Sequence, residues 1–412
     1  MSTPPTTTIN RNRLFLASCM ALIVTSMTFA IRARLESVFG PEGIGLTLEQ
    51  IGWAFTPAFW GFTLAMIFGG PLLDKIGMQR MVWVAFFTHA VGIVGTLFAY
   101  DQVSLFVATL AVGIGNGLVE AVCNPLVASM YSHNKTTMLN RFHVWFPGGI
   151  VIGSLVGYFV MDIAGLSWHL MVATLFVPLL AYGFLFVGQR FPRTERVEMG
   201  VSYGGMWRAV GTPLFLIIAF CMLLTASAEL GTNQRVETIL ADTGVSGLLV
   251  LALVSGVMAL GRLFAGPVIH RLSTPGVLLA SAVVSCGGLL LLSVASGGTI
   301  FLAALVYAVG ITFFWPTMLG FVAEYVPESG ALGLSIMGGL GMLTITFVLP
   351  QIGSLLDEGA TGGEVLRYMA ILPAVLIVLF AGIYLYMRNG GRLGHPSKQE
   401  ELRVEKTATS TR

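Results

Sequence analysis

Residues 113–127 read Gly113-Ile114-Gly115-Asn116-Gly117-Leu118-Val119-Glu120-Ala121-Val122-Cys123-Asn124-Pro125-Leu126-Val127, a run of small and apolar residues with one carboxylate near its middle. With its apolar flanks it extends over 104–131, long enough to cross a hydrocarbon core as a helix. An ionised side chain at such a depth costs roughly 3 kcal/mol or more, so a residue like Glu120 faces a water-filled pathway or a partner. Asn116 and Asn124 lie one turn before and after it on the same helical face. Pro125 frees a backbone carbonyl beside them. The stripe marks a candidate site.

The rest of the chain is built from similar runs. Of 412 residues, 55% are hydrophobic and 10% charged, against about a quarter charged in a soluble domain. Twelve apolar segments reach spanning length: 14–32, 51–73, 81–100, 104–131, 143–163, 168–190, 213–232, 247–270, 276–296, 299–324, 330–356 and 365–387. None alternates with period two as a barrel strand does, so the expected fold class is an all-α membrane protein with twelve transmembrane helices. The first segment follows Arg11 and Arg13. It reads as an uncleaved span, because a polytopic chain follows it.

Orientation follows from Lys and Arg. With the N-terminus inside, the cytoplasmic side collects Arg11, Arg13, Lys75, Arg80, Lys135, Arg141, Arg190, Arg193, Arg196, Arg208, Arg271 and the tail from Arg388. The opposite side has Arg32, Arg34, Arg235 and Arg367. Both termini are therefore expected in the cytoplasm, with the chain in the inner (plasma) membrane. A net charge of +2 gives nucleic acid no electrostatic footprint. Cys19, Cys123, Cys221 and Cys286 are dispersed within spans and form no CxxC pair, so they read as packed small residues, with no metal site. There is no Walker-type sequence, and no cofactor is expected.

A charged break from Gln189 to Thr212 divides the segments into six and six. The expected organisation is a cytoplasmic tail at 1–13, a six-helix bundle at 14–190, a linker at 191–212, a second bundle at 213–387 and a tail at 388–412. Transporters built from repeats divide in this way, with the substrate near the midplane between bundles. Gly148-Gly149, Gly153 and Gly157 in span five, and Gly338-Gly339 and Gly341 in span eleven, fall at equivalent positions and let helices approach closely. The tails Met1–Asn10 and 394–412 read as disordered.

The loops after spans two and eight repeat one pattern. The first is Gly70-Pro71-Leu72-Leu73-Asp74-Lys75-Ile76-Gly77-Met78-Gln79-Arg80; the second is Gly266-Pro267-Val268-Ile269-His270-Arg271-Leu272-Ser273. The first resembles the signature loop of the major facilitator superfamily, Gly-x3-Asp-Arg/Lys-x-Gly-x-x-Arg. The resemblance makes Asp74, Lys75 and Arg80 a conformational latch, with Asp74 held by a helix terminus or an arginine in one state only.

Further stretches resemble the fucose–glucose–galactose proton-symporter branch. Gly115 to Pro125 is similar to Gly-x-Gly-x-x-Glu-x-x-x-Asn-Pro, Leu139-Asn140-Arg141-Phe142-His143 to Leu-Asn-Leu-Ala-Gln, Ala228-Glu229-Leu230 to Ala-Glu-Val, and Trp315-Pro316-Thr317 to Phe-Pro-Thr. Ile336-Met337-Gly338-Gly339 is similar to the branch's glycine-rich stretch. The sequence also departs from the branch. The first-span aspartate is absent from Phe29-Ala30-Ile31-Arg32-Ala33-Arg34, His143 stands for a glutamine, and Phe146 for an asparagine.

Glu120 is the leading proton-coupling candidate, since a low-dielectric cavity favours its neutral form; the rival is a structural carboxylate paired with Arg141 or Arg262. Glu229, in span seven, is the second candidate. Asn233 and Gln234 beyond it suit sugar hydroxyls, which need donors and acceptors, although a helix end dissolving into a polar loop looks the same. His143 is a proton relay or a structural hydrogen-bonder, whereas His89 reads as structural. Asn116, Asn124 and Trp315 complete the expected substrate contacts, Trp315 because Pro316 breaks the helix where a cavity opens. Arg262, placed near the cytoplasmic end of span eight, is expected to pair with Glu324 in a gate.

The resulting expectation is a monomeric secondary transporter in the lipid bilayer. It takes up a monosaccharide or related small polar solute with protons by alternating access, and it is not an enzyme. The alternative is a proton-coupled antiporter exporting an amphipathic drug or metabolite. An organic-anion carrier needs an Arg or Lys at the cavity centre, and the sequence places none there.

Overall fold

The computed structural model describes residues 9–39, 43–46, 48–240, 243–245 and 247–388. Most of both expected tails lies outside these residues. The described chain is helical, with spans α1 (Arg11–Leu35), α2 (Gln50–Ile76), α3 (Met78–Leu97), α4 (Gln102–Met130), α5 (Lys135–Ile163), α6 (Trp168–Phe186), α7 (Pro213–Gln234), α9 (Thr274–Leu292), α10 (Thr299–Tyr325), α11 (Pro327–Leu356) and α12 (Gly362–Arg388). Between α7 and α9 lies α8, a bent pair of helices, Leu249–Leu263 and Ala265–Leu272, that meet at 67°. Counted as one span, α8 brings the described helices to the expected twelve.

Proline chemistry shapes the spans that matter most. A proline lacks its own N–H and crowds the carbonyl four residues back, so that carbonyl loses its helical partner. In α8, Pro267 acts on Leu263, where the helix turns. In α5, Pro147 acts on His143, where the helix Lys135–Phe142 gives way to Trp145–Gly157. In α10, Pro316 acts on Thr312, between the helices Thr299–Ile311 and Phe314–Tyr325. Span α7 instead widens into a π-helical turn at Ser227–Gly231, a deviation common at functional sites.

Small residues set the packing. On α4, a Cβ at Gly113 would strike the Ala58 carbonyl of α2, and one at Gly117 the Phe62 carbonyl, so these backbones touch directly. The two glycine runs at equivalent sequence positions pack differently. Gly149 and Gly153 of α5 seat Ser26, Met27 and Ala30 of α1, inside the first six spans. Gly338 and Gly339 of α11 seat Met66 and Ile67 of α2, joining the first six spans to the last six.

This joint continues toward the end of the molecule that carries the 187–212 linker. Gly70 of α2 lies against Ser335 and the Ala331 carbonyl of α11. At the start of α5, Lys135 Nζ donates to the Ala323 carbonyl of α10 at 2.9 Å and to Glu195 at 2.5 Å. Desolvation holds the Glu195 carboxyl above the usual carboxylate range, with Lys135 pulling the other way, so this pair is complete only when Glu195 has ionised. Asn140 Nδ2 donates to Thr317 Oγ1 at 3.1 Å.

The paired loops after α2 and α8 have the same backbone ending. Gly77 (φ 89°) donates its N–H to the Leu73 carbonyl, and Ser273 (φ 63°, ψ 163°) donates to Ile269, each at 2.8 Å. Glycine adopts this left-handed extended region freely; a serine there carries about 1–3 kcal/mol of strain. Ser273→Gly is therefore expected to raise the thermal unfolding midpoint of the detergent-solubilised protein. An unchanged or lower midpoint would contradict the strain.

Candidate functional site

Among the described residues, Arg262 is the largest side chain wholly withdrawn from solvent, at 1% exposure. It lies one residue from the bend in α8, deeper than the cytoplasmic end expected from sequence. Its Nε donates to the Thr312 carbonyl of α10 at 2.7 Å and one terminal nitrogen donates to the His143 carbonyl of α5 at 3.0 Å. These are the carbonyls whose usual partner four residues on is lost to Pro316 and Pro147; the His143 carbonyl also accepts from the Phe146 N–H at 3.3 Å. The other terminal nitrogen reaches Glu229 Oε1 of α7 at 3.2 Å. One guanidinium thus ties α5, α7, α8 and α10 together.

The expected Arg262–Glu324 pair does not form. Glu324 accepts from the Thr136 backbone N–H at 3.2 Å and from Thr274 Oγ1 at 2.8 Å. Glu324 stands near the linker end of α10, whereas the bend of α8 turns Arg262 inward. Arg262 is a buried cation between the two halves, with its nitrogens bound to Thr312, His143 and Glu229.

Glu229 sits on the π-helical turn. Tyr307 donates its hydroxyl to the Ala228 carbonyl at 2.8 Å and to the Glu229 carbonyl at 3.3 Å, which accommodates the widened backbone. Glu229 Oε2 and Thr232 Oγ1 are buried without hydrogen-bond partners. The carboxylate therefore keeps an acceptor in reserve.

Glu120 is equally buried. It accepts from Asn124 Nδ2 at 2.6 Å, and Asn124 Oδ1 meets His143 Nε2 at 3.1 Å. Because the amide nitrogen already serves Glu120, the amide oxygen must accept, so the His143 proton is on Nε2. The same Nε2 lies 3.7 Å from Glu120 Oε2. Glu120, Asn124 and His143 form one cluster, and the His143 backbone carries it on to Arg262 and Glu229.

The stripe on α4 splits at Asn116. Its Nδ2 donates to Thr28 Oγ1 of α1 at 3.0 Å, and its Oδ1 meets His89 Nε2 of α3 at 2.8 Å; His89 Nδ1 faces the Tyr182 hydroxyl of α6 at 3.1 Å. Asn116 thus knits spans of the first half together, and His89 has the structural surroundings expected of it. Trp315 is buried with its ring against Gly341, where a Cβ would come within 2.5 Å of it. Asn233 is half-buried and lines a small pocket with Thr232 and Tyr307, and Gln234 is exposed. Neither touches the charged cluster.

The expected latch residues meet the linker. Asp74 accepts from Thr194 Oγ1 at 2.5 Å, and Lys75 Nζ stands 4.7 Å over the Tyr203 ring. Arg80 is exposed. Arg262 takes no part in this loop. Sequence reasoning also left Lys135 and Glu195 out; a lysine at the first turn of a span, facing an acidic linker, was the available signal.

A profile described as "Major Facilitator Superfamily" matches residues 14–345. The chain belongs to that superfamily. It is 26% identical over 161 residues to a D-galactonate transporter of Escherichia coli O6:H1 (strain CFT073), a match covering 38% of this chain and 37% of that one. It is 25% identical over 126 residues to the niacin transporter NiaP of Acinetobacter baylyi (strain ADP1), covering 30% and 28%. Among solved structures, the E. coli fucose:proton symporter FucP in its outward conformation aligns with a TM-score of 0.75 at 16% identity, over 90% of this chain and 98% of that one. At that identity the last likeness speaks for the fold. The chain is a multi-pass membrane transporter and not an enzyme.

Removing one partner of a buried ion pair strands the other, at about 3–5 kcal/mol. Glu229→Gln and Arg262→Gln are each expected to lower the unfolding midpoint strongly, and the double variant to lose less than the sum of the two. Strict additivity in the same thermal assay would show that the pair does not act as a unit.

Proposed function

We propose that this superfamily member couples proton movement to uptake of a monosaccharide or related small polar solute. The observation that carries the reading is the buried cluster Glu120–Asn124–His143, joined through Arg262 to Glu229. Two carboxylates share one apolar interior with a histidine and an arginine, and Glu229 keeps one oxygen unpartnered. Adding a proton to either carboxylate removes the charge that opposes Arg262, so protonation and the tie across α5, α7, α8 and α10 are energetically linked. Support also comes from the span-four motif, the FucP-like fold and the small polar cargoes named for the two curated relatives.

In this reading, the bundles 14–190 and 213–387 rock about the site in the inner membrane, with both tails in the cytoplasm. The joint formed by α2 with α11 and by α5 with α10 closes the cytoplasmic side. Asp74, Lys75 and Arg80 hold the linker to that closed state. Glu120 is the primary proton acceptor, His143 relays, and Glu229 responds through Arg262. Asn124 and Trp315 border the solute path, while Asn116, Asn233 and Gln234 contribute at its margins.

The test is external pH in lightly buffered, de-energised cells expressing the protein while monosaccharides and their acids are added. The expected result is alkalinisation with a substrate, abolished in Glu120→Gln although that variant still reaches the membrane. Alkalinisation that survives Glu120→Gln would move the coupling to Glu229 or His143. No pH response to any solute would contradict proton symport.

A further inference from the structure

Arg32 stands in an unusual setting. The helix that begins α1 continues to Phe39, so Arg32 lies within a helix and not at the end of the span expected from sequence. Its guanidinium carbon lies 4.7 Å over the ring of Phe29 and 4.7 Å over the ring of Phe59 from α2. Phe29 meets Phe59 edge-on at 5.8 Å and Phe146 of α5 at 5.6 Å. Half-buried rings of α1 and α2 thus face one cation, backed by Phe146 of α5.

Three other arginines in the spans, Arg13, Arg34 and Arg262, are matched by oxygen. Arg13 donates to the carbonyls of Phe184, Leu185 and Val187. Arg34, two residues from Arg32, pairs with Asp162, and Arg262 has two carbonyls and Glu229. Among the described residues, no carboxylate or carbonyl accepts from Arg32. Ring faces hold a cation less firmly than a charge-assisted hydrogen bond to a carboxylate does. Ring faces also engage none of its five N–H donors. The planar fork of such a group matches a carboxylate through two parallel hydrogen bonds.

The placement suits a solute. Phe59 and Phe146 come from α2 and α5, and these are the spans that pack on α11 and α8 of the second half. Arg32 lies near the end of α1 remote from the linker, which is the end opposite the closed joint.

We propose that Arg32 is a carboxylate-binding site, and that the transported solute is a small organic acid of sugar-acid type. Its carboxylate sits on the guanidinium edge and its carbon skeleton rests on the Phe29, Phe59 and Phe146 rings. The inference builds on the transporter reading and adds the substrate's charge. It also gives a reason for the loss of the first-span aspartate of the sugar-symporter branch: an arginine among aromatics would select the acid over the neutral sugar.

The test is ligand-dependent thermal stabilisation of the purified, full-length protein in detergent, with D-gluconate and D-galactonate compared with D-glucose and D-galactose. Only the acids are expected to raise the unfolding midpoint. Arg32→Gln should weaken the apparent affinity by about 10- to 100-fold, the worth of a charged hydrogen-bonded pair. Arg32→Lys should fall between it and the parent, and Arg34→Gln should bind as the parent does. Stabilisation by the neutral sugars alone, an equal effect of the acids on Arg32→Gln, or no effect of any acid would overturn the proposal. The assay reads equilibrium binding without a gradient. A failure of proton coupling would therefore leave the acid-dependent shift intact, and a failure of the site would leave coupling to a neutral sugar measurable.

Discussion

The constraint on which the structure depends is the need to satisfy Arg262 without water. A guanidinium withdrawn into a helical membrane protein must find oxygen acceptors, and in an intact helix each carbonyl already serves the N–H four residues on. Pro147 and Pro316 solve this by freeing the carbonyls of His143 and Thr312, and Glu229 supplies the countercharge. The breaks in α5 and α10, the bend in α8 and the widened turn in α7 thus converge on one side chain. Each irregularity would be a defect alone; together they form a single junction between spans from both halves of the chain.

That junction shares His143 with the carboxylate cluster of α4. His143 donates through its ring to Asn124 and accepts through its backbone from Arg262. Glu120 is thereby linked to the second half of the molecule through three hydrogen bonds and two residues, Asn124 and His143. The packed joint near the linker supplies the mechanical counterpart. There α2 lies on α11 along glycines, and Lys135 binds both α10 and the linker. Small-residue contacts of this kind separate without leaving buried charge behind, whereas Lys135 and Glu195 must part or move together.

Much of this was legible in the sequence, for definite reasons. The spans declare themselves by length and apolarity, and the superfamily by the loop around Asp74. Glu120 stands out because nothing near it in sequence is charged. The position of Arg262 was misread because the 67° bend between Leu263 and Ala265 leaves the length and apolarity of span eight unchanged. Its partners were invisible for another reason: Glu229, His143 and Thr312 are remote in sequence, and only folding brings them together. Arg32 was placed at the end of the first span because charge follows it in sequence, whereas the helix runs on to Phe39. Asn116 was grouped with Glu120 by periodicity, which is correct for the helix face, but neighbouring helices decide what each side chain meets.

The central claim is that the charge state of the buried cluster governs the joint near the linker. The most direct measurement is a spectroscopic distance between spin labels at exposed positions 141 and 271, on α5 and α8 near that joint. It would be recorded in nanodiscs across a range of pH, with and without a binding solute. The account predicts that low pH with solute adds a longer-distance population, and that Glu120→Gln shows this population at neutral pH. A single distance distribution unmoved by pH, by solute and by the substitution would contradict it.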